Sequence, residues 1–195
     1  LAVMRSQGEG GVWDIDVRPF LVSKVATVVN SDDEIVEALT GFNSTEASTF
    51  YADEGISLSG IKKGMLIRIK QNDKKKITDY EILFDPWNDI DAEGKINEDK
   101  LSNDSQFGNN YGIVRGYVND VVDGVIKIGR SAPDVAEQFA DKQGAPIVIY
   151  DLDSESISAG GFEDARTYYK DGNDCSVVIM QSYQGTPKMF VIYNK

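Results

Sequence analysis

Apolar residues in this chain recur with a period of two, in short runs broken by glycine, asparagine and aspartate. Successive side chains of a strand point to opposite faces, so such runs bury one face and specify strands rather than helices. The first group comprises "VWDIDVRPFLVSKVATVV" (residues 12–29), "EIVEALTGF", "STFYAD" and "GISLSG". "GMLIRIKQNDKKKITDYEILFD" then reads as a hairpin turning at "QNDKK". Pro19 fits an edge or bulge of a long bent strand, because proline cannot donate to a ladder. "SDDEIVEALTGF" also admits a helical reading, with Ser31 as cap and Ile35, Leu39 and Phe42 at helical spacing. Gly41 and the flanking strands favour a strand there.

After Pro86 the alternation lapses. Residues 87–110 are polar and acidic, and strands resume at Tyr111. "YGIVRGYVNDVVDGVIKIG" is a hairpin around Asp-Gly, a strong turn signal. "SAPDVAEQFADKQG" is expected to hold one short helix, with Ser131 as cap and Pro133 in its first turn. "PIVIYDLD", "SISAG", "CSVVIMQSY" and "KMFVIYN" complete a second β set. Both halves run through a leading strand, an acidic turn, a variable connector and a closing hairpin, the pattern of a degenerate repeat. The expected fold is mainly β: two tandem small antiparallel β-barrel or sandwich domains with at most one or two short helices. The first spans 11–86 and the second 111–195, with an acidic linker at 87–110. A barrel closes its own edges, which suits five or six strands per unit.

Composition excludes several chemistries. The chain has no histidine, which removes Ser-His-Asp and Cys-His nucleophile systems and His-ligated zinc or iron. Its one cysteine, Cys175, alternates with Val177 and Ile179 on one strand face and reads as a buried small residue. A net charge of −12 opposes binding to a phosphate backbone, so no nucleic acid is expected as partner. The cluster Lys74–Lys76 reads as a solvated hairpin tip. No run of about eighteen apolar residues is present to span a membrane. "LAVMRSQGEGG" lacks a basic-then-apolar leader, so a signal peptide would lie outside this chain.

"DIDAEGKINEDK", residues 89–100, follows much of an EF-hand-type calcium loop. Asp89, Asp91 and Glu93 stand at positions 1, 3 and 5, Gly94 at the turn, Lys95 at the carbonyl position and Asn97 at position 9. Position 12, where a bidentate carboxylate belongs, is Lys100. The segment therefore reads either as a weak extracellular-type calcium site or as a hydrated acidic linker. The paired carboxylates Asp14/Asp16 and Asp151/Asp153 could in principle form an acid–base pair, but they read as solvated strand-edge acids. Trp13, Trp87, Tyr168, Tyr169 and Tyr183 could stack on sugar, with Trp87 and Tyr183 as the candidate ligand platform, or pack structurally.

"FLVSKVATVVN…LTGF…TFYAD…LSGIKKGMLIRIK…ITDYEILFDP" and the ending "VIYDLDSESISAG…DCSVVIMQSYQGTPKMFVIYN" resemble the C-terminal β-repeat region of S-layer-homology-type clostridial surface proteins. The resemblance covers about Val12 to Asn194 and rests on strand patterns and short phrases, without a catalytic signature. It implies a non-enzymatic structural or interaction module outside the bacterial cytoplasm, at the cell surface or wall. Its expected partners are other envelope proteins or cell-wall glycan. The alternative is a carbohydrate-binding module, with calcium as a structural aid. Neither reading requires another cofactor.

Overall fold

The structure, a computed structural model, describes residues 19–97, 111–133, 136 and 138–195. It is mainly β, with two sheets of five and seven strands. The first sheet contains β1 (Phe20–Val29), β2 (Ile35–Phe42), β3 (Ala47–Tyr51), β4 (Leu66–Gln71) and β5 (Ile77–Phe84), in the order β3-β2-β1-β4-β5. A four-residue helix α1 (Pro86–Asp89) follows. The second sheet contains β6 (Tyr111–Val122), β7 (Val125–Gly129), β8 (Gln138–Asp141), β9 (Ile147–Asp151), β10 (Ile157–Ala159), β11 (Val177–Tyr183) and β12 (Thr186–Asn194). Its order is β10-β9-β12-β11-β6-β7-β8, and a second short helix α2 (Tyr168–Asp171) precedes β11.

The two sheets share one strand order. Read from the other edge, the second runs β8-β7-β6-β11-β12, matching β3-β2-β1-β4-β5 strand for strand, with β9 and β10 added beyond β12. The pairs among these ten strands are antiparallel, whereas β9 lies parallel to β12. The first sheet has a counterpart of that parallel contact: Ala52, just past β3, bridges Ile77 of β5 in parallel, and Asp53 N–H donates to the Ile77 carbonyl at 2.8 Å. This contact joins the two outer strands and closes the first sheet into a small barrel.

Strand alternation sorts the apolar residues into separate clusters. Phe20 and Val22 of β1, Leu39 of β2, and Ile67 and Ile69 of β4 fill the first barrel. Val178 and Met180 of β11, with Phe190 and Ile192 of β12, form a cluster on one face of the second sheet. The intervening residues on the same strands face outward and meet in a third cluster: Leu21, Leu66 and Phe84 from the first sheet, and Val177, Ile179, Val191 and Tyr193 from the second. The two sheets therefore pack on each other over a common seam. Burial on both faces explains why β9, β11 and β12 read as continuous apolar runs.

The ambiguous segment 31–42 forms strand β2, which buries Leu39 in the barrel. Gly41 is required there, because a Cβ would stand 2.2 Å from the Leu21 carbonyl oxygen beside a bulge in β1. "GISLSG" is not a strand: Leu58 is buried in a turn-rich loop, and its N–H donates to the Glu37 carboxylate at 2.6 Å. The short helix expected within 131–144 is replaced, where the chain is described, by a turn and by strand β8 paired to β7. A helix that short must meet the cost of nucleation, whereas β8 finds partners on an existing edge. Residues 134, 135 and 137 lie outside the described set. Helix α1 had its signal in "FDPW": Asp85 accepts a hydrogen bond from Trp87 N–H at 3.0 Å, and Pro86 occupies the first turn.

Candidate functional site at the seam between the sheets

The stretch from Asp85 to Asn97 is folded against the seam, and Ile96 is buried in its cluster. Ile96 N–H donates at 2.6 Å to the Tyr117 hydroxyl of β6, and Ile90 bridges Ile96 to make a small hairpin. Up to Asn97, then, the segment packs against both sheets; residues 98–110 lie outside the described set.

The candidate calcium ligands serve this local fold. Asp89 is buried, with its carboxylate accepting from Asp85 N–H at 2.8 Å and its carbonyl accepting from Asn97 N–H at 2.8 Å. Asp91 is exposed, and its Oδ1 accepts from Lys95 N–H at 2.7 Å and Glu93 N–H at 3.0 Å. The Lys95 carbonyl accepts from Asp91 N–H at 2.9 Å, completing a turn at Gly94, whose φ is +80°. Glu93 and Asn97 are exposed. Among the described residues, no three acidic or cysteine side chains converge to hold a metal ion. The turn chemistry of a calcium loop is present, but its carboxylates point to different partners. Asp99 and Lys100 fall outside the described residues.

Charged groups gather deeper in the seam. Arg68 of β4 is 2% exposed and pairs with Glu81 of β5 at 3.7 Å. Arg115 of β6 reaches across from the second sheet and donates from Nη2 to the Leu83 carbonyl. Burial lowers the pKa of its guanidinium, while the carboxylates of Asp89 and Glu81 act in the opposite direction. Glu81 thus lies within the electrostatic reach of both arginines, one from each sheet. Removing one member of such a group is costly, because the other charges remain buried.

Aromatic rings flank this group. Tyr193 of β12 packs on Phe84 with ring centroids 5.1 Å apart and on Tyr150 of β9 at 5.7 Å. Both phenols resist ionisation: burial, then Glu155 and Asp151, raises Tyr150 to about 12. Burial, followed by Tyr150, Asp85 and Asp89, raises Tyr193 well above its ordinary value. Trp87 stands edge-on to Tyr150 at 6.5 Å, donates from Nε1 to the Lys63 carbonyl at 2.8 Å and remains 40% exposed.

The two candidate platform residues lie apart. Trp87 packs near the Tyr150/Tyr193/Val177 level of the second sheet, whereas Tyr183 ends β11 at the opposite end of its hairpin with β12. Tyr183 lies six residue steps along β11 from Val177, a span on the order of 20 Å. Tyr183 instead lies under the Lys188 ammonium, 5.9 Å from the ring centroid. Tyr168 packs on the seam cluster, while neighbouring Tyr169 is 70% exposed. Asp151 accepts from the Ser154 N–H and hydroxyl, which lowers its pKa, and Asp153 is exposed on the following turn. Trp13, Asp14 and Asp16 lie outside the described residues. Cys175 is buried beside Val177 and Ile179, and burial pushes its thiol up to about 11.

Sequence reasoning missed Arg68, Glu81 and Arg115. The signal was a charge at a core-facing position of the alternation: Arg68 stands in phase with Leu66, and Arg115 with Ile113 and Tyr117. Among the described residues, no helix is long and apolar enough to cross a membrane. No protein-family model, curated protein or solved structure matches the chain.

Proposed function

We propose that this chain is a structural or interaction module of a bacterial cell-surface protein and that it carries out no reaction of its own. The observation that supports this reading is that its buried and partly buried charged groups serve the seam. Arg68, Glu81, Arg115 and Asp89 cluster where the sheets meet, and Cys175 lies in the seam's apolar cluster with a raised pKa. The shared strand order also fits the degenerate repeat suggested by the sequence. A body of two sheets fused over a common core would hold its outer surfaces in fixed relation to a partner in the envelope. Co-sedimentation of the purified chain with envelope fractions tests this, in parallel with hydrolase and transferase screens. Association without turnover is the expected result. A turnover abolished by one carboxylate substitution would overturn the proposal.

A second reading, carbohydrate binding, is favoured by Trp87 alone. Its indole is held by Lys63 and Tyr150 yet remains 40% exposed, as a stacking residue must be. Binding of purified wall glycan that is lost in Trp87→Ala, with the unfolding midpoint unchanged, would select this reading over the first.

A further inference from the structure

The hairpin of β1 and β2 outruns the sheet it belongs to. β1 pairs with β4 only at Phe20 and Leu21. Val22 is met by the loop before β4: its N–H donates to the Met65 carbonyl and its carbonyl accepts from Gly64 N–H, both at 2.9 Å. From Lys24 to Val29 the ladder continues with β2 alone, and among the described residues no strand pairs with the other side of this stretch. β2 is covered on its far side as far as Glu37, whose carbonyl accepts from Ala52 N–H at 2.8 Å. The long open edge of the ribbon therefore belongs to β1.

The residues along that edge suit a further strand. Val25, Thr27, Val28 and Val29 are β-branched, and the stretch has no proline and no charge after Lys24. Solitary edges are commonly blunted by a lysine within the strand, a proline or a bulge. Here the bulge precedes Lys24, and Val25–Val29 carries none of the three. At the end of the ribbon Val29 and Ile35 stand opposite each other, 64% and 77% exposed. Beyond them comes the exposed turn of Ser31, Asp32, Asp33 and Glu34. Glu34 lies 4.0 Å from Lys76, whereas Asp32, Asp33 and Lys24 form no ion pair among the described residues.

We infer that the open edge of β1 is a self-association site, at which a second copy of this chain adds its own β1 antiparallel to make a two-fold dimer. Self-complementarity selects this occupant. A two-fold axis perpendicular to the sheet reverses the strand and keeps its faces aligned, so each contact occurs twice. Centred on Thr27, the pairing sets Val25 opposite the partner's Val29 and Ala26 opposite the partner's Val28. Those cross-strand pairs cover apolar surface while the edge's backbone groups gain hydrogen bonds. Lys24, which is exposed, then comes opposite the partner's Asn30, at the foot of the turn that carries Asp32 and Asp33. Positive charge at one end of the edge thus meets negative charge at the other, on both sides of the axis. The net charge of −12 opposes association at long range. Salt at about 0.15 M screens that repulsion beyond roughly 8 Å and weakens contacts across the edge far less. This inference concerns β1 and does not depend on which envelope partner the chain binds.

The test is sedimentation equilibrium of the full chain, from micromolar to millimolar concentration, in salt of about 0.15 M. A monomer–dimer equilibrium is the expected result. Lys24→Glu alone, and Asp32→Lys/Asp33→Lys alone, should each weaken it by roughly tenfold or more, because each sets like charges together at both ends of the pairing. Mixing the two variants should restore a dimer with one chain of each, since opposite charges then meet at both ends. The second variant carries less net negative charge, so a tighter dimer from it alone would trace association to overall charge and overturn the edge pairing. Phe139→Asp, on the open edge of β8 in the other sheet, should leave association unchanged. A chain that is monomeric throughout, a dimer indifferent to the charges at Lys24, Asp32 and Asp33, or one lost in Phe139→Asp would overturn the proposal. All the substituted positions are exposed, so circular dichroism should show the same strand content in every variant.

Discussion

The Tyr193 hydroxyl on the last strand donates at 2.9 Å to the carbonyl of Gly64, which lies 129 residues earlier in the loop before β4. Gly64 N–H in turn donates to the Val22 carbonyl of β1 at 2.9 Å, so one residue ties strands of both sheets together. Tyr193→Phe keeps the ring and removes the donor, leaving a buried carbonyl with one partner fewer. Loss of one such bond costs about 1–2 kcal/mol, which denaturant titration should show as a lower midpoint. Because the bond spans the seam, circular dichroism and tryptophan fluorescence should report the same single transition at neutral pH. Two separated transitions there would contradict a shared core.

Gly64 itself cannot be replaced freely. Its φ is +86°, a region L side chains rarely enter, and an added Cβ would stand 2.7 Å from Tyr150 Cζ. Gly64→Ala should cost more than the roughly 1 kcal/mol of the backbone effect, because ring and loop must also move apart. Gly124, also at positive φ but with nothing within 4 Å of an added Cβ, is the control. Gly124→Ala should lower the thermal midpoint by less than Gly64→Ala. Equal shifts would show that crowding against Tyr150 has no effect.

The buried phenols predict a loss of stability at alkaline pH. A group whose folded pKa exceeds its unfolded value contributes fully below the unfolded pKa, about 10 for tyrosine, and its contribution is lost as pH rises through the folded pKa. For Tyr150 that window runs from about 10 to about 12. Unfolding free energy should therefore fall across this range, accompanied by a late tyrosinate absorbance step. Tyr150→Phe should flatten the fall, whereas Tyr169→Phe, at an exposed position, should leave it unchanged.

The acidic hairpin makes a distinct prediction about calcium. Since the carboxylates of Asp89 and Asp91 accept backbone N–H groups and do not converge, thermal unfolding in EDTA and in millimolar calcium should give the same midpoint. Asp91→Ala should lower the midpoint equally in both, through loss of the turn's hydrogen bonds. A calcium-dependent rise that disappears in this variant would restore the metal reading.

The sequence by itself determined the strand content, the main hairpins and the burial of Cys175, because a period-two pattern and Asp-Gly or Asn-Asp turns act over a few neighbouring residues. Only the tertiary structure decided how the faces were used. Alternation shows that Leu21 and Val22 point to opposite sides of a strand, but it does not show that one side fills a barrel and the other a seam. The same limit hid the meeting of Arg68, Glu81 and Arg115, since ion pairing across sheets depends on how distant strands dock. The hairpin from Asp89 to Asn97 reads locally as a cation loop or a hydrated connector. Its packing was decided by Ile96 entering the apolar cluster and by Tyr117 accepting its N–H, two contacts supplied by the sheets' docking.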